Sequence, residues 1–126
     1  PHLTGRMFEY STPALALAEG LGAAIEELFV PNSSEQIRNR IFALKELFLA
    51  HLDLTRATPV NFSLQNQSGI QSLITKKDPV LLCDELYKDG FIFSSRGGYL
   101  RMAPHCYLTD EEVIRAAAAL NTRMKI

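Results

Sequence analysis

The sequence has no tryptophan, two cysteines, three histidines and almost no excess charge. Each shortage removes a class of protein. Cys83 and Cys106 are too few and too far apart for a disulfide framework or a cysteine-rich zinc site. His2, His51 and His105 have no metal-ligand spacing. Thirteen basic residues against fourteen acidic ones leave a net charge of −1, so bulk charge draws neither nucleic acid nor an anionic membrane. No apolar run approaches the ~20 residues of a spanning helix: Glu19, Glu26 and Glu27 interrupt one, Lys45 and Glu46 another. Arg96-Gly97-Gly98 suits a hairpin and not a strand-to-helix phosphate cradle. Internal repeats and low-complexity tracts are absent. No basic and apolar leader opens the chain, and the expectation is a cytoplasmic protein.

What is present is a chain of 126 residues, 47% apolar and 21% charged, which is enough for one domain with a real core. It opens Pro1-His2-Leu3 without an initiator methionine, and its first helical signal comes only at Thr12-Pro13. That reads as the middle of a longer polypeptide; a processed small protein is the other reading. Thr12 offers a hydroxyl N-cap and Pro13 a first helical residue. Leu17, Leu21, Ala24, Ile25 and Leu28 then recur at helical spacing, with Gly20 and Gly22 each costing about 1 kcal/mol against alanine. Ser33-x-x-Gln36 is a capping-box pattern opening a second helix, striped by Ile37, Ile41, Leu44, Phe48 and Leu52, with Arg38, Arg40, Lys45 and Glu46 off the stripe. The two helices are expected side by side.

After Leu54 the period changes. Short strands are expected over 60–64 and 69–74. Asp78-Pro79 opens a helix that Gly90 closes, with Val80, Leu81, Leu82, Leu86 and Tyr87 on its buried side. Strands over 91–94 and 99–103 are joined across a turn at 95–98. Thr109-x-x-Glu112 is a second capping box, with Asp110, Glu111 and Glu112 complementing the helix dipole. The fold class is therefore α+β: a two-layer sandwich of a small, mostly antiparallel sheet with helices on one face, preceded by a helical pair. Residues 1–54 form the N-terminal segment and helical pair, and residues 55–126 the α+β domain.

Candidate chemistry is sparse. Arg101 interrupts the apolar strand Tyr99-Leu100-Arg101-Met102-Ala103. A solvent-facing arginine is common on a strand, while a guanidinium in a polar site is a planar fork for a carboxylate. His105 and Cys106 are neighbours, and a Cys–His nucleophile pair needs hydrogen-bond reach that neighbours rarely achieve. Lys76-Lys77 reads as a solvated turn. No catalytic constellation is complete and no metal site is indicated.

The stretch Gly5-Arg6-Met7-Phe8-Glu9-Tyr10-Ser11-Thr12-Pro13, the following Gly20-Leu21-Gly22-Ala23-Ala24, then Ser68-Gly69-Ile70, Asp89-Gly90-Phe91-Ile92 and Leu100-Arg101-Met102-Ala103-Pro104-His105-Cys106-Tyr107-Leu108-Thr109-Asp110-Glu111-Glu112-Val113 resemble, in order, the C-terminal part of class V aminotransferase-like enzymes. These use pyridoxal phosphate (PLP) on the fold-type I scaffold. The resemblance covers nearly the whole chain and implies the small domain of a PLP-dependent transferase. It puts Arg101 where the family grips the substrate α-carboxylate. It puts Thr12 where a threonine reaches the PLP phosphate of the neighbouring subunit, although Ser11 stands for the family's glycine and Ala14 for its asparagine.

The family's Schiff-base lysine follows a histidine in a large domain, and no His-Lys dipeptide occurs here. The aspartate that meets the pyridine nitrogen also belongs to that domain. The turn before the arginine strand has no cysteine, which is unlike cysteine desulfurases; the chain looks more like the isopenicillin-epimerase-like, kynureninase-like or aminotransferase branches. The resemblance thus implies a C-terminal fragment of an enzyme acting on an amino acid, inactive alone. Its partners are that substrate, the large domain of the same enzyme and a second copy in a homodimer. The competing expectation is a stand-alone, non-catalytic binding or dimerisation module.

Overall fold

Capping groups and glycine-dependent turns set where each element begins and ends. The computed structural model describes residues 14–125, except for the side chain of Leu64. Helix α1 spans Leu15–Leu28, α2 Ser34–Ala50, α3 Pro79–Lys88 and α4 Asp110–Arg123. Strands β1 (Ala57–Pro59), β2 (Gln71–Thr75), β3 (Ser94–Arg96) and β4 (Tyr99–Met102) form one sheet in the order β1-β2-β4-β3. All three pairings are antiparallel. This is the α+β class expected. Among the described residues, no helix is long and apolar enough to cross a membrane.

The chain divides into two compact units, one up to Ser34 and one from Glu35 onward. In the first, α1 has no buried residue. Its C-terminal carbonyls are taken by the chain itself: Phe29 N–H and Val30 N–H donate to Ile25 O, and Asn32 Nδ2 donates to Leu28 O at 3.1 Å. The N-cap expected at Thr12, with Pro13 after it, lies outside the described residues.

The second unit holds the core. Leu44, Phe48 and Leu52 meet Leu73 of β2, Leu100 and Met102 of β4, Leu82 and Leu86 of α3, and Val113, Ala117 and Leu120 of α4. Because α2 shares this core with the sheet, the unit begins at Glu35, whereas the change of period had drawn a line after Leu54. Asn121 ties α2 and α4 at one end, its Nδ2 donating to His51 O and its Oδ1 accepting from Asp53 N–H, both at 2.8 Å. Arg40 ties the other, donating to Leu108 O at 2.8 Å and pairing with Asp110 at 2.7 Å.

Local chemistry accounts for the boundaries. Asp78 accepts from Val80 N–H at 2.7 Å to start α3. Gly90, at φ +86°, ends it in a Schellman arrangement, with Phe91 N–H to Leu86 O and Gly90 N–H to Tyr87 O. Both halves of the Thr109–Glu112 capping box form. Gly97 and Gly98, both at positive φ, make the two-residue turn that matches the twist of a β3–β4 hairpin.

Several expectations are corrected. The first strand lies at Ala57–Pro59, because Ala57 is the side chain that enters the core, and the run after Ser63 folds into a 3-10 turn held by Asn66 N–H to Ser63 O. The third strand starts only at Ser94, since Phe91 and Phe93 turn onto the core instead; the Phe93 ring lies 6.1 Å from that of Phe48. On α3, Leu82 and Leu86 are buried, while Val80, Leu81 and Tyr87 are exposed. Consecutive helical positions diverge by a large angle, so only the i, i+4 pair shares the core face. Lys77 is no solvated turn residue: its Nζ meets both Glu85 carboxylate oxygens at 2.8 Å and Arg123 O at 3.1 Å. Lys45, expected off the apolar stripe, is only 4% exposed.

Candidate functional site

Strand alternation decides where Arg101 goes. Leu100 and Met102 point into the core, so Arg101 and Tyr99 stand on the opposite face of the sheet. The helices of this unit contribute their buried residues to the Leu100 face and leave the Arg101 face open. The register puts Arg101 directly across from Ser72 of β2 and Ser94 of β3, so the guanidinium rises between two short hydroxyl side chains in the middle of the sheet. Ile74 and Tyr99, both exposed, share that face by the same alternation. Arg101 is half-buried and has no hydrogen-bond or ion-pair partner among the described residues. Its five N–H donors remain available to a ligand or another surface.

The strand leads into a braced loop. Pro104 is buried, Leu108 N–H donates to His105 O at 3.1 Å, and the His105 ring stacks on Tyr107 with centroids 4.5 Å apart. Cys106 Sγ lies 3.4 Å from His105 Nδ1, so these neighbours do come within sulfur hydrogen-bond reach. The other thiol, Cys83, is pushed up by burial and secondarily by the Asp84 charge, which suits a packing role on α3.

A cleft of about 460 Å³ lies elsewhere. It is walled by Phe91–Phe93, Met102–Pro104 and Tyr107, with Glu112 and Arg115 as its charged members; Arg101 does not line it. Glu112 is engaged in the capping box, where the Thr109 N–H first and the Thr109 hydroxyl second hold its carboxyl below the usual range. Nothing in the sequence pattern marks Glu112 or Arg115 for this cleft; the Thr109-x-x-Glu112 spacing marks Glu112 only as a helix cap.

Thr12 lies outside the described residues, so its relation to Arg101 is not described. A PLP site does not assemble from the residues that are described. Positive-φ backbone occurs at Gly90, Gly97 and Gly98, which close a helix and turn a hairpin and do not cradle a phosphate. Of the half-buried or buried lysines, Lys77 is committed to Glu85 and Lys45 lies over the Phe42 ring. Among the described residues no cluster of His, Cys, Asp and Glu is fit to hold a metal. Comparison with protein-family models finds no match, and no curated protein matches the chain.

Proposed function

We propose that this chain is the C-terminal part of a PLP-dependent enzyme acting on an amino acid, and that Arg101 holds the substrate carboxylate. The observation that carries the reading is the state of Arg101: a half-buried guanidinium in the middle of the sheet, without a partner among the described residues. Burying part of a permanent charge without an acid beside it is unfavourable in isolation and is offset when an anion arrives. A strand holds the fork rigidly, so two charge-assisted hydrogen bonds form at little ordering cost.

The motif order from Arg6 to Val113 and the α+β fold support the same reading. On it, the open sheet face looks towards a large domain that carries the Schiff-base lysine and the cofactor, and the chain contributes substrate binding and dimer contacts but no bond-making group. The reaction belongs to the aminotransferase, epimerase or lyase types.

The test is made on the intact enzyme. Arg101→Ala should weaken amino-acid binding by on the order of 2–5 kcal/mol while leaving the matching amine, which lacks the carboxylate, nearly unchanged. Arg101→Lys keeps the charge, loses the bidentate geometry and should remain impaired. Equal weakening of both ligands, or of neither, overturns the assignment and favours a non-catalytic module.

A further inference from the structure

Among the described residues, two polar side chains are buried, Lys45 and Gln71, and they line the same cavity of about 230 Å³ between α2 and the segment leading into β2. The Lys45 ammonium has no hydrogen-bond acceptor among the described residues. It sits 4.6 Å from the centroid of the Phe42 ring and 4.0 Å from Glu46 Oε1, and the Glu46 side chain is 69% exposed. A ring face and a solvated carboxylate at that distance compensate an ammonium only in part. Three N–H donors are left for something that enters the cavity.

Gln71 is fixed by its own amide: Nε2 donates to Val60 O at 3.0 Å and Ser72 O at 2.9 Å, which leaves its carbonyl oxygen as the uncommitted group. Next to the cavity, the loop before β2 is drawn tight onto α2. A Cβ at Gly69 would lie 2.6 Å from Ile41 Cγ2, so only glycine lets the loop approach this closely. Leu49, Val60, Phe62 and Ile70 are the apolar members of the lining, beside the polar Glu46, Asn61, Gln67 and Ser68.

We propose that this cavity binds a small organic monocarboxylate, its carboxylate meeting Lys45 Nζ. One ammonium can pair with a single carboxylate while Glu46, largely exposed, stays solvated; a phosphate dianion would bring a second negative charge against Glu46. Leu49, Val60, Phe62 and Ile70 offer apolar contact to the body of the ligand, and Asn61, Gln67 and Ser68 are neutral hydrogen-bonding groups. The site is separate from Arg101 and does not depend on the role assigned to it.

The experiment is titration of the full chain with phenylacetate, phenylacetamide and inorganic phosphate, read by calorimetry and by the side-chain amide signals of Asn61 and Gln71. Phenylacetate should bind and move those signals. Phenylacetamide should bind at least about tenfold more weakly, as loss of a charge-assisted hydrogen bond implies. Lys45→Met keeps the stem and should reduce phenylacetate to the level of the amide. Equal binding of acid and amide, unchanged binding in K45M, no binding of phenylacetate, or tighter binding of phosphate overturns the proposal. Should K45M not fold, the Gln71 signal in the unaltered chain decides: movement with the acid and not the amide supports the site, and any other pattern overturns it.

Discussion

A half-buried thiol and a thiol in hydrogen-bond contact with a neighbouring imidazole should not react alike. Burial raises Cys83 above the ordinary thiol range, and Asp84 adds to the effect, so its thiolate is scarce near neutrality. Iodoacetamide at mildly alkaline pH should therefore label Cys106, beside His105, well before Cys83; mass spectrometry of partial digests checks the order, and faster labelling of Cys83 would contradict the packing around α3. Three carboxylates move the other way. The Thr55 hydroxyl and amide lower Asp53, Arg123 lowers Asp89 through a 2.7 Å hydrogen bond, and the Thr109 N–H lowers Glu112. Their folded values lie below their unfolded ones, so their stabilising contribution is complete above the ordinary carboxylate range near pH 4 and is lost as pH falls through the folded values. Thermal melts from pH 7 downward should show a plateau to about pH 5 and then a fall, and a melting temperature that rises on acidification would refute the pairings. At this scale the sequence was informative for Arg101, whose charge breaks an apolar strand, and misleading for Lys45. Position 45 is four residues after Ile41 and three before Phe48, so helical geometry puts it on the stripe; its charge alone had argued it off.

Elements were legible where a single residue type has one structural use. Asp78-Pro79, Gly90, Gly97-Gly98 and Thr109-x-x-Glu112 each do what their chemistry implies, and they delimit α3, the β3–β4 hairpin and the start of α4. Strand positions were less legible because apolar alternation alone cannot say which residues reach the core. Val60 and Phe62 alternate as a strand would, yet Ala57 is the residue buried under the sheet and Phe62 is exposed. The burial of α2 was likewise hidden, since its stripe looks the same whether it meets α1 or the sheet. The caps carry a direct prediction. Thr109→Ala removes the acceptor for Glu112 N–H and should cost about 1 kcal/mol. Gly90→Ala forces a Cβ onto a left-handed backbone and should cost about 1–2 kcal/mol. Each should lower the melting temperature by several degrees without changing the far-UV spectrum. A neutral Gly90→Ala would mean that α3 does not end in the Schellman turn.

At the scale of the whole molecule the two units differ in kind. Every residue of the core cluster lies between Leu44 and Met124, so the unit from Glu35 onward has what it needs to fold. Helix α1 has no buried residue and presents Leu17, Leu21 and Ile25 at helical spacing, all exposed. An apolar face of that kind is held in place by tertiary packing against another surface, since an isolated helix of this length is marginal in water. Within the proposed enzyme that surface belongs to the large domain or the second subunit; for the chain alone, another copy offers such a surface. Two consequences separate. Removing residues 1–34 should leave the cooperative melt of the remainder within a few degrees of the full chain, because the core cluster of the described residues lies wholly after Glu35. The same truncation should abolish concentration-dependent association seen by light scattering with the full chain. Leu17→Ser combined with Leu21→Ser should reproduce the loss of association with the length unchanged. If the truncated chain melts without cooperativity, the core needs residues before Glu35 and the division into units is wrong. If truncated and full chains associate alike, the sticky surface is the open sheet face around Ile74 and Tyr99, and α1 is not the element that seeks a partner.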